Sequence, residues 1–244
     1  MRVLELFAGI GGLSLGLERA GMTTVALCEI DADCRFWLSR NFPGVPVYED
    51  VRSLTAESLA GLGPIDLIAG GFPCQPHSVA GKQRGREDER HLWPEFARLV
   101  REIRPRWVLA ENVPGIRTTA SDEVLRDLEA AGYSCWALVV GADHVGAPHR
   151  RRRVWFVGHA NCARLERRER ETRDAQLAIV PDWPPRPSKV RGIPFEADGL
   201  PSGPARRRAS RLRRARLKAL GNAVVPQVAE AIGRAILRMD ACRS

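Results

Sequence analysis

Short apolar runs alternate with amphipathic stretches along the first 158 residues of the chain. The runs end at glycines or acidic residues and are typical of buried strands, whereas the stretches between them repeat apolar residues at helical spacing. This regular alternation predicts an α/β fold with a doubly wound, mostly parallel sheet. The predicted strands are 3–7, 23–28, 45–48, 65–69, 107–110, 133–140 and 154–158. The predicted helices are 13–20, 31–41 (capped by Asp31), 56–62, 92–103, 121–131 (capped by Ser121) and 228–239.

The pattern breaks after residue 158. Residues 159–214 are rich in Arg, Pro and polar residues, and the stretch 181–204 holds seven prolines, so little regular structure is expected there. Residues 206–218, with eight basic residues in thirteen, leave a basic helix open, and a helical pattern returns at 228–239. We therefore divide the chain into a main domain (1–158), a short, basic, irregular insert (159–216) and a C-terminal part (217–244).

The charge follows the same division. The net charge is +9, but residues 150–218 alone hold 20 Lys and Arg against 7 Asp and Glu. A near-neutral body with one concentrated basic segment is the electrostatic pattern of a polyanion binder. On charge alone, a solvated basic surface without a partner stays open as the alternative.

The six cysteines form no CxxC pair and show no zinc spacing, which indicates reduced thiols in a cytosolic protein. No metal site is expected, since neither His77 nor His149 has a partner at ligand spacing. The chain starts on an apolar strand that leaves no room for a signal peptide, and no apolar run approaches the roughly 20 residues of a membrane span. We expect a cytoplasmic protein with no membrane contact.

A glycine cluster, Gly9-Ile10-Gly11-Gly12, separates the first predicted strand from the first helix. Such a turn lets the backbone approach a ligand closely, although it also occurs for tight packing alone. Glu29 ends the second strand, where a carboxylate can accept both hydroxyls of a ribose. Asp50 ends the third strand and could accept from an adenine amino group. The order of the glycines differs from the dinucleotide pattern and favours an adenosyl cofactor without a pyrophosphate.

Cys74 lies where the fourth predicted strand ends and a long loop begins, at the edge where open α/β sheets bind ligands. Taken alone, such a cysteine is more often a buried structural thiol than a nucleophile. Glu111 ends the fifth strand, and the ends of adjacent strands lie roughly 5 Å apart. A thiolate and a carboxyl group in one pocket suit attack on an electron-poor ring with protonation of a ring nitrogen.

Five sequence blocks then occur in one order: LFAGIGGLSLGL at 6–17, GGFPCQPHSVAGKQRGREDER at 70–90, ENVPG at 111–115, GAPHRRRRVWFVG at 146–158 and LKALGNAVVP at 217–226. Through them the chain resembles the DNA (cytosine-5)-methyltransferases of bacterial or phage type, and the joint match is far more specific than any single motif. The resemblance implies a Rossmann-like class I methyltransferase fold. Residues 1–158 would form the catalytic and cofactor-binding domain, 159–216 a target-recognition-like segment, and 217–244 a motif and helix that pack back.

The resemblance also implies the reaction, which is transfer of a methyl group from S-adenosylmethionine to carbon 5 of cytosine in DNA. Cys74 would add to carbon 6 of a flipped cytosine, and Glu111 would hydrogen-bond ring nitrogen 3 and the amino group. Arg151 and Arg153 would lie near the flipped base and the DNA backbone. Flipping the base costs a few kcal/mol, and removal of the proton at carbon 5 would release Cys74.

The family's remaining functional positions carry over in the same way. A mobile loop that closes on DNA would correspond to 75–91, with Gln75, Ser78, Lys82 and Arg84 as the DNA-contacting residues. The cofactor site would be lined by Phe7, Gly9, Ile10, Gly12, Glu29, Ile30, Asp50, Val51, Pro73, Asn222, Ala223 and Val224.

The chain departs from the family pattern mainly in its insert. Target recognition usually occupies a separate domain, whereas 159–216 offers 58 proline- and arginine-rich residues with little scaffold for base readout. His77 and His149 replace a common Phe and Gln.

Two alternatives stay open: an RNA cytosine-5 methyltransferase, and a degenerate DNA-binding paralogue without activity. The expected partners are double-stranded DNA and, in a restriction-modification setting, a cognate restriction endonuclease. A nucleoid-associated monomer is expected.

Overall fold

The computed structural model describes residues 1–73, 92–160 and 223–242. Within these ranges seven strands form one sheet in the order β3-β2-β1-β4-β5-β7-β6. The strands are β1 (Arg2–Leu6), β2 (Thr23–Cys28), β3 (Val47–Tyr48), β4 (Leu67–Gly71), β5 (Trp107–Asn112), β6 (Tyr133–Val140) and β7 (Arg153–Ala160). The helices are α1 (Gly12–Arg19), α2 (Ala32–Asn41), α3 (Trp93–Ile103), α4 (Ser121–Ala130) and α5 (Pro226–Ala241). Three 3₁₀ turns cover Glu57–Leu62, Pro114–Thr118 and Ala142–Val145.

The sheet confirms the predicted mostly parallel, doubly wound α/β architecture. β1 to β5 pair in parallel, and among the described strands only β7 runs antiparallel, between β5 and β6. The antiparallel strand was not predicted, because a short apolar run has the same appearance in either direction. β1 lies between β2 and β4, so the strand order reverses beside it. Ligands bind outside the carboxyl ends of the strands at such a reversal.

Helices cover both faces of the sheet and bury two apolar layers. On one face, α3 and α4 pack on β1, β4 and β5 through residues such as Phe96 and Leu128. On the other face, α1 and α5 pack together through residues such as Leu17 and Ile232. Strands of the parallel part are therefore buried on both sides, which is why they read as continuous apolar runs in the sequence.

Helix α5 lies unusually close to α1. A Cβ added at Gly16 would come within 2.2 Å of the Pro226 carbonyl oxygen, and one added at Gly12 within 2.5 Å of the Val224 carbonyl oxygen. Only glycine at these two positions lets the backbones approach this far. The C-terminal helix is thereby held against the turn that follows β1.

Several predicted element ends shift by a few residues. Asp31 caps α2 as predicted, with its carboxylate accepting from the amides of Asp33 and Cys34. The prediction of Ser121 as a cap was wrong, because Ser121 is already helical and Ala120 precedes the helix without a side-chain cap. The predicted helix at 56–62 is a 3₁₀ turn. The predicted loop 74–91 and most of the insert lie outside the described residues.

Candidate active site

The carboxyl ends of the parallel strands form one edge that carries most of the predicted site residues. Phe7, Gly9, Ile10 and Gly12 follow β1, and Glu29 and Ile30 follow β2. Asp50 and Val51 follow β3, Pro73 follows β4, and Ala223 and Val224 precede α5. Asn222, the remaining predicted cofactor residue, lies outside the described residues. The structure thus places the described members of this set along adjacent strand ends.

Glu29 organises the glycine turn. Its Oε2 accepts a hydrogen bond from the Gly9 amide at 2.7 Å, and its Oε1 accepts one from the Asp31 amide at 2.8 Å. Each carboxylate oxygen has two lone pairs, so both oxygens keep one acceptor position for a ligand hydroxyl. Gly9 has a φ of +56°, and a Cβ there would meet nothing within 4 Å, so the turn borders open space. This carboxylate and this turn fit the ribose end of an adenosyl cofactor.

Asp50 has a strong neighbour that the sequence did not indicate. Arg52 Nη2 lies 2.7 Å from Asp50 Oδ2, and the Arg52 amide and Nε donate to Asp50 Oδ1. These hydrogen bonds lower the pKa of Asp50 below its ordinary value. Asp50 is therefore an ionised acceptor whose position is fixed by its own turn. Ile30 is 62% exposed beside the neighbouring strand end and presents an apolar surface there.

Glu111 lies near the end of β5, where the strand still pairs with its neighbours. Its side chain is only 12% exposed, and its Oε1 lies 2.9 Å from Arg153 Nε on the antiparallel neighbour β7. Burial raises the pKa of Glu111 above the ordinary value for a glutamate, while Arg153 and Arg151 act in the opposite direction. A mostly buried carboxyl group with a raised pKa retains a proton to higher pH, as an acid that donates to a ring nitrogen requires.

Arg151 connects this acid to the C-terminal part. Its Nη2 donates to the Ala223 carbonyl oxygen at 2.8 Å, across 72 residues of sequence. Its φ of +27° lies in a region that side-chain-bearing residues rarely adopt. The two arginines of the predicted pair thus have different partners in the structure: Arg153 binds the acid, and Arg151 binds the backbone that precedes α5.

The end of β4 faces Glu111. Gly71 pairs in register with Glu111, and a Cβ on Gly71 would lie 3.0 Å from Glu111 Oε2. Buried Asn112 donates from Nδ2 to the Phe72 carbonyl oxygen at 3.0 Å and so fixes the backbone that leads to Pro73. Cys74, Gln75, Ser78, Lys82 and Arg84 come directly after this point and lie outside the described residues.

Sequence reasoning missed a buried acid beneath the glycine turn. Glu5, in the middle of β1, is 2% exposed, and its Oε2 accepts from the Ser14 amide in the first turn of α1 at 2.9 Å. Burial raises its pKa to about 8. The available signal was a lone carboxylate inside an apolar strand, which is rare unless the group is hydrogen-bonded or neutral.

A small cavity adjoins Glu111 on the α5 side. It is lined by Glu111, Val140, Arg151, Arg153, Trp155, Val224, Val225 and Val228. The two arginines and the acid supply its polar surface, and the residues before and within α5 supply most of the apolar surface. The acid, both arginines and the C-terminal part therefore meet in one place.

Two classes of feature are not found in the described ranges. No group of His, Cys, Asp or Glu there is arranged to hold a metal ion. No helix among those that the structure describes is long and apolar enough to cross a membrane.

The sheet order, with its reversal beside β1, and the glycine turn facing an acidic strand end are those of a doubly wound, Rossmann-like fold. The family model described as C-5 cytosine-specific DNA methylase matches residues 1–184, and the chain belongs to this family.

Curated relatives agree with this assignment. The type II methyltransferase M.NgoMIV of Neisseria gonorrhoeae is 43% identical over 164 residues, which cover 65% of this chain and 51% of that protein. M.FnuDI of Fusobacterium nucleatum is 36% identical over 163 residues, which cover 65% of this chain and 46% of that protein. The chain thus spans about half the length of these curated relatives.

Solved structures share the fold. A DNA modification methyltransferase encoded within a prophage (E. coli) matches with a TM-score of 0.57 and 37% identity over 66% of this chain and 47% of that chain. The Spodoptera frugiperda DNMT2 structure matches with a TM-score of 0.58 and 23% identity over 67% of this chain and 51% of that chain, a likeness of fold alone.

Proposed function

We propose that the chain transfers a methyl group from S-adenosylmethionine to carbon 5 of cytosine in DNA, by covalent addition and elimination through Cys74. The observation that carries this proposal is the placement of Glu111. Its mostly buried carboxyl group is bound by Arg153 and faces Gly71 at the end of β4. Gly71 lies three residues before Cys74 in the sequence. Family membership supplies the reaction class.

The cofactor would lie along the edge from β3 to β4. Glu29 would accept from the ribose hydroxyls, Asp50 would accept from the adenine amino group, and Ile30 would cover an apolar face of the base. Gly9 and Gly12 would let the backbone approach closely. When bound, S-adenosylmethionine supplies an electrophilic methyl group to the site.

Cys74 and Glu111 would act together on the flipped cytosine. The thiolate forms a bond from sulfur to carbon 6, and the carboxyl group of Glu111 donates to ring nitrogen 3 as negative charge develops there. Carbon 5 then carries the electron pair that bonds to the methyl group, and the rest of the cofactor would leave as a neutral thioether. A base then removes the proton at carbon 5, and the electron pair of that bond forms the ring double bond as the bond from sulfur to carbon 6 breaks. Cys74 leaves as a thiolate, and ring nitrogen 3 returns its proton to the Glu111 carboxylate.

The arginines and the insert would hold the DNA. Arg153 keeps the Glu111 carboxyl group in place until the base enters, and Arg151 ties the site to the segment before α5. Gln75, Ser78, Lys82 and Arg84 would contact DNA from the loop that follows Cys74. The basic residues of 159–216 would bind phosphates, which makes binding steeply dependent on salt.

The proposal extends to the setting of the reaction. The relatives' designation as type II methyltransferases supports pairing with a cognate restriction endonuclease, and the basic insert supports association with the nucleoid. We propose that the chain acts as a monomer. Size-exclusion chromatography with light scattering, with and without a DNA duplex, tests the last point.

A trapping experiment tests the reaction. Genomic-length DNA containing 5-fluorocytosine is incubated with the chain and S-adenosylmethionine, because fluorine at carbon 5 blocks the final proton removal. A denaturant-resistant protein–DNA adduct is expected. It should be absent with Cys74→Ser and retained with Cys242→Ser, which changes an exposed cysteine outside the site. Methylation of ordinary DNA without any adduct on the fluorinated DNA would overturn the covalent route. An adduct that forms with tRNA and not with DNA would overturn the assignment of DNA as the substrate.

A further inference from the structure

Trp155 is the direct cross-strand neighbour of Glu111. The two residues pair in register between β7 and β5, so their side chains leave the sheet on the same face. Trp155 is 1% exposed and lies in the apolar layer that α5 covers. A tryptophan beside Glu111 brings an indole N–H donor next to this mostly buried carboxyl group.

The indole N–H of Trp155 is buried, and it has no hydrogen-bond partner among the described residues. Buried donors are nearly always paired, with protein or with water, because an unpaired one costs about 1–3 kcal/mol. Trp155 lines the same cavity as Glu111 and Arg151, and that cavity has a volume of about 10 Å³. This volume is at the lower limit for one water molecule, which also needs two or more polar partners.

We propose that Trp155 is a positioning residue: its Nε1 donates to one buried water in this cavity, and that water donates to the Glu111 carboxylate. Arg151 lines the same cavity and would be a second donor toward the water oxygen. The water would thus be an integral part of the site, and the indole would orient it.

The consequence concerns the protonation of Glu111. The charged side chains that line the cavity in the described part of the chain are Glu111, Arg151 and Arg153. A water that donates to the carboxylate favours its ionised form and so opposes the effect of burial. Loss of the indole donor should free or disorder the water, and the Glu111 carboxyl group should then hold its proton to higher pH.

Nuclear magnetic resonance tests the water directly. In protein labelled with ¹⁵N-tryptophan, six indole signals are expected, and Trp155→Phe identifies the Trp155 signal by its loss. The Trp155 indole proton should show a cross-peak to a long-lived water in a rotating-frame Overhauser experiment. Absence of that cross-peak would overturn the proposal. The readout needs no substrate, so its failure is distinguishable from a failure of the proposed function.

The titration of Glu111 provides the second readout. Its carboxyl carbon is followed by ¹³C-glutamate labelling, with Glu111→Gln used for assignment. Trp155→Phe should raise the titration midpoint by about 0.5 to 1 pH unit. Trp93→Phe is the matched control, since Trp93 Nε1 donates to Asp127 Oδ2 in the opposite apolar layer. An unchanged midpoint in Trp155→Phe, or an equal shift in Trp93→Phe, would contradict the positioning role.

Discussion

Trp107 and Asp240 lie 133 residues apart, yet the indole Nε1 of Trp107 donates to Asp240 Oδ1 at 3.0 Å. Arg106 reinforces the contact, with Nη1 2.9 Å from Asp240 Oδ2 and Nη2 3.2 Å from Asp66 Oδ1. One carboxylate at the end of α5 thus binds the start of β5. The opposite end of α5 lines the cavity beside Glu111, so this contact fixes the helix that borders the candidate site.

Asp240→Ala should therefore destabilise the protein by about 2 kcal/mol, because it leaves the buried Trp107 N–H without its acceptor. Urea denaturation followed by circular dichroism measures the change in the free energy of unfolding. Arg238→Ala, an exposed position on the same helix, is the control and should change stability by less than about 0.5 kcal/mol. Equal effects of the two substitutions on the free energy of unfolding would show that the contact with Trp107 contributes no more stability than an exposed side chain on the same helix.

Glu5 makes stability depend on pH in an unusual direction. Because its pKa is raised to about 8 in the folded protein, the folded state keeps a proton that the unfolded state releases above its ordinary pKa near 4.5. The stabilisation from Glu5 is thus fully present below pH 4.5 and is lost as pH rises to 8, by up to about 1.4 kcal/mol per unit. Glu5→Gln stays neutral and can still accept from the Ser14 amide.

Melting temperatures at pH 6 and pH 8.5 check this prediction. The fall in melting temperature between the two should be clearly smaller in Glu5→Gln than in the unmodified protein. Glu129→Gln, a change of the same kind at an exposed position of α4, should leave the fall unchanged. An identical pH dependence in all three proteins would mean that Glu5 is ionised throughout.

Cys74→Ser should lower methyl transfer by at least about 1,000-fold while S-adenosylmethionine binding stays within twofold, because the thiol acts on the base alone. Transfer of a radiolabelled methyl group to DNA and calorimetric titration of the cofactor measure the two quantities. A serine variant that still methylates would show that the nucleophile lies elsewhere.

Glu111→Gln should lower kcat by about 100-fold or more, since an amide cannot deliver a proton to ring nitrogen 3. In the unmodified protein, activity should fall as pH rises through the raised pKa of Glu111, because the protonated form is the donor. Pre-steady-state rates, measured at pH values upward from the ordinary glutamate pKa of 4.5, follow this decline. If activity still falls with rising pH in Glu111→Gln, a group other than Glu111 causes the decline.

The elements were predictable to the extent that burial follows periodicity. β2 coincides with the predicted strand 23–28, and α3 begins one residue after the prediction. Predicted strand ends were wrong where a polar residue in the sequence indicated an end but pairing with a neighbouring strand continued. The ladder to β7 carries β5 on through Glu111 and Asn112, whereas the sequence suggested an end at the first acidic residue. Backbone pairing with the neighbouring strands keeps these polar residues within β5.

The residues of this chain by themselves determined the family, the alternation of strands and helices, and the types of side chain at each strand end, because burial periodicity and turn chemistry are local. Only the tertiary structure decided which groups meet. It joined Arg153 to Glu111, Arg151 to the Ala223 carbonyl, and Trp155 to the same cavity. These contacts depend on the antiparallel β7 and on the close approach of α5, and both arise from packing between segments far apart in sequence.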